Sequence, residues 1–80
     1  GWLEAVHPED RPATEAAFRD ATARGAAVRI EYRLRRADGG YEWMLDAAAP
    51  RFGPDGAFLG FIGSVIDIGE RKQAEEQARR

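Results

Sequence analysis

The chain has no cysteine, and of its 80 residues only one is histidine and one methionine. Without cysteine there is no disulfide framework, no thiolate nucleophile, no cysteine metal site and no flavin attachment through sulfur. A single histidine, His7, leaves hydrolytic chemistry short of a base. No apolar run approaches the roughly 20 residues a membrane span needs, and no signal peptide is visible. A cytoplasmic location without membrane contact from this segment is therefore the default expectation. The formal charge of -2 gives no general attraction to nucleic acid or anionic lipid. What is present, 44% hydrophobic and 32% charged residues, is the balance of a globular protein rather than a disordered one. At this length the chain is one domain at most, and a fold of this size buries only about 60% of its unfolded surface. A missing strand would therefore matter.

Read in order, Trp2, Leu3 and Val6 share one face of a short helical turn, which His7-Pro8-Glu9-Asp10-Arg11-Pro12 then breaks. Asp10 is placed to cap a second helix over Ala13 to Arg24, and Gly25 suits the left-handed position that ends it. The expected buried stripe of that helix is Thr14, Ala17, Phe18 and Ala21, narrow enough for close approach to a sheet. From Ala27 to Arg36 the period becomes two, with Val28, Ile30, Tyr32 and Leu34 on one face and Arg29, Glu31, Arg33 and Arg35 on the other. Asp38-Gly39 predicts a tight hairpin, with Tyr41 to Ala49 returning and Pro50 ending that strand.

Phe58 to Ile68 forms a third strand that is apolar on both faces: Phe58, Ile62 and Ile66 alternate with Leu59, Phe61 and Val65. Such a strand belongs inside a sheet or under cover on both sides. Gly60 and Gly63 within it call for a bulge or a close backbone approach. Counted from this sequence it would instead be the last strand of a meander, so a partner is wanted, either upstream strands or a second copy. Glu70 to Arg80 then reads as a charged helix, with Glu75 to Arg79 and Glu76 to Arg80 spaced for pairs of about 0.2 to 0.5 kcal/mol each. Eleven residues are too few for an isolated helix in water, so a continuation or a partner helix is expected.

The ordered motifs Val6-His7-Pro8-Glu9-Asp10-Arg11, Glu31-Tyr32-Arg33-Leu34-Arg35-Arg36, Asp38-Gly39, Trp43, Gly60 to Gly63 and Asp67-Ile68-Gly69-Glu70-Arg71-Lys72 resemble the C-terminal part of a PAS domain with its PAC motif. The likeness is to the subclass found in bacterial sensor kinases and cyclic-dinucleotide enzymes. It implies an α+β fold, a five-stranded antiparallel sheet with helices on one face. This chain would supply the three C-terminal strands, one preceding helix and a C-terminal linker helix, the N-terminal strands being absent. Residues 1–68 would be the C-terminal portion of the domain and 69–80 the start of a signalling helix. The missing first strand would be the neighbour of Phe58 to Ile68. Gly69 stands where the family usually has threonine.

Weighed singly, the chemical candidates are weak. His7, followed by proline in a loop, is structural rather than catalytic, and with Glu9 and Asp10 it has no recognised metal spacing. Haem in such families is held from a helix, so neither haem nor cysteine-linked flavin fits, and no cofactor is evident. Gly60-x-x-Gly63 lies inside a strand with no Lys-Ser/Thr after it, unlike a phosphate loop. Arg33, Arg35 and Arg36 are interleaved with Glu31, Glu42 and Asp46, a salt-bridged face rather than a nucleic-acid platform.

No enzyme activity and no catalytic or metal residue is expected. The resemblance implies a sensory module that relays ligand or partner state to an effector in the parent chain, such as a histidine kinase or diguanylate cyclase. Asp67, Glu70 and Arg71 are the expected coupling residues, because a carboxylate at a strand end can pair with Arg71 or hold the first free helix amides. A ligand pocket, if formed, would draw on Phe18, Ile30, Tyr32, Trp43 and Ile62. The alternative is a ligand-free interaction module, a homodimer self-associating through the strand edge at Phe58, Phe61, Ile62 and Val65.

Overall fold

The computed structural model describes residues 1–79. A 3-10 turn at Trp2–Ala5 leads into helix α1 (Arg11–Arg24), strands β1 (Val28–Arg35), β2 (Tyr41–Phe52) and β3 (Phe58–Asp67), and helix α2 (Gly69–Ala78). The strands form one antiparallel sheet in the order β1-β2-β3. The result is the α+β arrangement expected, with the period-two residues in strands and the alanine-rich segment in a helix.

Residues Thr14 and Ala21 of α1 are buried and Ala17 and Phe18 half-buried, so the predicted stripe is the one turned inward. Gly25 ends the helix at φ 61 and ψ 36, where its amide donates to the Ala21 and Thr22 carbonyls. A Cβ there would also lie 3.3 Å from the Phe52 ring. Gly25→Ala is therefore expected to lower stability by about 1–2 kcal/mol in thermal or urea unfolding.

Both hairpin loops share one design. In Arg36-Ala37-Asp38-Gly39-Gly40 the Arg36 amide donates to the Gly40 carbonyl at 2.7 Å, and in Gly53-Pro54-Asp55-Gly56-Ala57 the Gly53 amide donates to Ala57 at 2.8 Å. Asp38 and Asp55 each accept from the amide two residues on, at 2.8 and 3.1 Å. Gly39 and Gly56 alone take positive φ, 90 and 83. Asp38-Gly39 thus does turn the hairpin expected, but with positive φ at Gly39 only and not at both residues. Its aspartate stays at negative φ and spends its carboxylate on the loop.

Strand β2 runs through Pro50, past the end predicted for it. The Trp43 carbonyl accepts from the Ile68 amide on the β3 side, so every second residue after Trp43 faces β3 and Pro50 faces β1. Pairing with β1 has already stopped at Val28 opposite Ala48, so the missing donor of Pro50 removes no ladder bond.

On the α1 side the sheet presents Ile30 and Tyr32 with Met44, Asp46, Phe61 and Val65; on the other lie Glu31, Arg33, Trp43, Leu45, Ile62 and Ile66. Rings run along the α1 side in edge contact, Trp2 to Phe18 at 5.4 Å, Phe18 to Phe61 at 5.5 Å and Phe61 to Phe58 at 5.3 Å. A register shift between Arg51 and Phe52, with Gly60 at φ 113, makes Leu59 the extra residue of a bulge. That bulge swings Phe58 to the side of Phe61, whereas simple alternation groups it with Ile62. Gly63 is the close approach: the space of a Cβ is filled by the Ala47 carbonyl oxygen and by Ala48 Cα at 2.6 Å.

Candidate functional site at the joint between sheet and terminal helix

The polar face of β1 carries one acid among three arginines, and structure forms around that acid. Glu31 Oε2 accepts from Arg71 and Oε1 pairs with the Lys72 ammonium, both at 2.6 Å. The Lys72 hydrogen bond first, then the charges of Lys72 and Arg71, hold the Glu31 carboxyl below the usual carboxylate range. Lys72 also lies 4.5 Å from the Trp43 ring centroid, and Arg33 lies 5.2 Å from the same centroid. Arg33 in turn reaches the N-terminal end of α1. Its amide and Nε donate to Asp10 Oδ2 at 2.9 Å each, and a terminal nitrogen donates to Oδ1 at 2.8 Å. A continuous polar chain, Asp10, Arg33, Trp43, Lys72, Glu31 and Arg71, thus links the start of α1 to the first turns of α2.

The role of Asp10 differs from its expected one. It sits at the N-cap of α1, but its side chain caps nothing in the helix. The loop from Val6 to Asp10 closes the free edge of β1 instead, with the His7 amide donating to the Arg33 carbonyl at 2.8 Å and Asp10 accepting the Arg33 amide. His7 itself packs beside Tyr41, ring centroids 4.6 Å apart.

At the strand-to-helix seam, Asp67 Oδ1 accepts from the Gly69 amide at 2.8 Å, the second of the two uses expected of it. The first is not made, because Arg71 turns to Glu31. A Cβ at Gly69 would stand 3.2 Å from the same Oδ1, close enough that the Asp67 carboxylate would have to shift slightly. Asp67 also lies against Glu42, and the bond the two carboxyls can share only when one is protonated, with burial and their like charge, holds the Glu42 carboxyl above the usual range. Glu70 is exposed and forms no ion pair among the described residues. Glu75 turns back to Arg71 at 3.6 Å and Lys72 at 3.8 Å rather than forward to Arg79. The Glu76 to Arg80 pair lies outside the described residues.

Helix α2 has no buried residue of its own; only Ile68 just before it is buried, at 7% exposure. Its direction is therefore set by hydrogen bonds and charge more than by packing. An open cleft runs between α2 and the β1–β2 hairpin, lined among others by Tyr41, Trp43, Asp67, Lys72 and Gln73.

The five residues expected to line one pocket are divided between two faces. Phe18, Ile30 and Tyr32 lie on the α1 side, while Trp43 and Ile62 lie on the other, because Tyr32 pairs with Met44 and its neighbour Trp43 must point away. Phe58, Ile62 and Val65 are exposed by 40%, 61% and 51%, with Phe61 half-buried, along the edge of β3 that has no strand beside it among the described residues. Glu31, Trp43 and Lys72 are joint residues that the sequence reading did not assign to the joint, Trp43 having been expected in the pocket; a lone acid in an arginine-rich strand face was the available signal.

The architecture is thus a three-stranded antiparallel sheet with a helix on one face and a second helix leaving its last strand. The PAS fold family matches residues 1–65, and the chain belongs to it. It is 53% identical over 77 residues, 96% of this chain, to the uncharacterized protein y4lL of Sinorhizobium fredii. It is 28% identical over 75 residues, 94% of this chain, to the peroxide stress-activated histidine kinase mak1 of Schizosaccharomyces pombe. The chain spans only 9% and 5% of those two relatives.

Among solved structures, a sensory box histidine kinase/response regulator from Burkholderia thailandensis superposes with TM-score 0.83 at 26% identity, over 95% of this chain and 58% of that one. The N-terminal domain of a diguanylate cyclase with PAS/PAC sensor from Marinobacter aquaeolei gives 0.84 at 25% identity, over 89% and 65%. The chain is thus a PAS sensor domain similar to those of histidine kinases and diguanylate cyclases, and the catalytic domains of such proteins are not part of it. No helix among the described residues is long and apolar enough to cross a membrane.

Proposed function

We propose that this PAS domain is the sensory and regulatory part of a cytoplasmic signal-transduction protein. Residues 1–68 take up a ligand or partner signal, and residues 69–80 begin the helix that carries it to an effector in the parent chain, a histidine kinase or a diguanylate cyclase. The observation that carries this reading is the manner in which α2 is held. With no buried face, it depends on Glu31, Trp43 and Asp67, so small movements of β1 or β3 can redirect it. Asp67 fixes the first helix amide, Arg71 and Lys72 clamp the next turn, and Glu70 lines the open cleft beside them.

The test is Asp67→Ala in the chain that carries the effector. Loss of one exposed hydrogen bond costs about 1 kcal/mol, so the domain should stay folded while effector output loses its normal response. Unchanged regulation would sink the coupling role.

The exposed apolar residues of β3 favour a second reading, a homodimer formed by strand pairing through Phe58, Phe61, Ile62 and Val65. Sedimentation separates the two: a monomer at high concentration counts against self-association and leaves the relay untouched.

A further inference from the structure

Two carboxylates meet where β3 passes into α2. Asp67 pairs with Met44 in the β2–β3 ladder, so Glu42, two residues before Met44, is its diagonal neighbour on the same face, within reach of a long side chain. Both line the open cleft beside α2, and neither forms an ion pair among the described residues. Arg36, the cation that acts on Glu42, is spent on Asp38 at 3.3 Å and on the Tyr41 carbonyl at 3.4 Å. β1 offers only Leu34 opposite Glu42, and His7 stands one residue away against Tyr41. α2 brings Lys72 and Arg79 to the cleft, but with Glu70, Glu75 and Glu76, and Lys72 is already held by Glu31 and Glu75.

Two acids in contact without a cation between them are most stable when they share one proton. Asp67 has a second commitment, because its Oδ1 accepts from the Gly69 amide at 2.8 Å at the start of a helix with no buried residue. A protonated Glu42 donates to Asp67 and holds that carboxylate in place, whereas an ionised Glu42 repels it. The bond to Asp67 first, then burial, raises the Glu42 carboxyl above its ordinary value of 4.5. Asp10, Glu31 and Asp38 are lowered instead, so on acidification Glu42 takes up its proton before them. A raised acid stabilises its surroundings below its ordinary value, and that support is lost as pH rises through the raised one.

We propose that Glu42 and Asp67 form a proton-operated latch on α2. A proton shared between them locks Asp67 onto the Gly69 amide, and its loss sets two negative charges side by side and loosens the first turn of the helix. This names proton concentration as a signal for the relay proposed above and rests on that reading.

The test is hydrogen exchange in the full-length protein, read by mass spectrometry of peptides spanning residues 68–74 at about pH 5 and about pH 7.5, with exchange times scaled for the intrinsic pH dependence of amide exchange. Protection there should be about threefold to tenfold greater at the lower pH. Glu42→Gln, which keeps a neutral donor of nearly the same shape, should hold the greater protection at both. Equal wild-type protection at the two pH values would overturn the proposal. So would a pH difference that survives in Glu42→Gln, since His7 or a group on α2 would then be the one titrating. The wild-type comparison decides the matter even if the variant folds poorly. A flat wild-type result with Asp67→Ala still altering effector output removes only the latch; an Asp67→Ala protein with normal output removes the relay whatever the exchange shows.

Discussion

Asp10→Ala should lower the stability of the domain by about 2–4 kcal/mol, or roughly 10 °C or more in Tm for a domain of this size. The side chains of Asp10 and Arg33 are only 18% and 27% exposed. Removing the carboxylate strips the acceptor from the Arg33 amide and from two guanidinium nitrogens at once, leaving a half-buried cation unpaired. Whole domains of this length hold about 4–12 kcal/mol, so the loss is a large share. Glu9, 77% exposed and 3.3 Å from the same guanidinium, is the control: Glu9→Ala should cost less than about 1 kcal/mol.

The pH dependence of that pair has a definite sign. The Arg33 hydrogen bond, opposed in part by burial, lowers the Asp10 carboxyl below its ordinary value of 3.8. An acid whose folded pKa is depressed stabilises the fold above its unfolded pKa, and the contribution is lost as pH falls through the lowered value. Acid unfolding followed by circular dichroism should therefore steepen below about pH 4 in the wild type. Asp10→Ala should start from lower stability and show a flatter slope in that window.

Gly63→Ala should be at least as damaging, about 3 kcal/mol or more. Most small-to-large changes are relieved by moving a side chain, but the added carbon here meets the Ala47 carbonyl oxygen and Ala48 Cα, both main chain of the paired strand. Relief requires β2 and β3 to separate where Ala48 pairs with Gly63. Gly60→Ala is the contrast, with open space around it and strain only from φ 113, for a cost of about 1–2 kcal/mol. Urea midpoints of the two variants test the ranking, and a Gly63→Ala protein as stable as wild type would mean the strands are not so closely paired.

Much of this fold can be read from local pattern. Alternation in Val28 to Arg35 marks β1, the small-residue stripe marks the inner face of α1, and Gly25 marks its end. What could not be read is how faces meet across turns. Period two sorts Tyr32 from Arg33 and Trp43 from Met44, but only the five-residue loop at Arg36 to Gly40 decides that Tyr32 pairs with Met44. That one step moved Trp43 from the expected pocket to the joint.

The ion pairs escaped for a related reason. Asp10 and Arg33 are 23 residues apart and Glu31 and Arg71 are 40 apart. No local spacing rule links such residues, whereas Asp67, two residues from its Gly69 partner, was visible at the strand end. Pro50 misled because its cost depends on which side of the strand lacks a neighbour.

The central claim is that the direction of α2 is set by the Glu31 clamp with Asp67, and a pulsed electron-spin distance measurement tests it most directly. The absence of native cysteine allows nitroxide labels at R51C on β2 and Q77C on α2 alone. The wild-type domain should give one narrow distance at low salt. Glu31→Gln, which removes the charge that Arg71 and Lys72 share, should broaden it as α2 leaves the sheet. A distribution unchanged by the substitution would contradict the account.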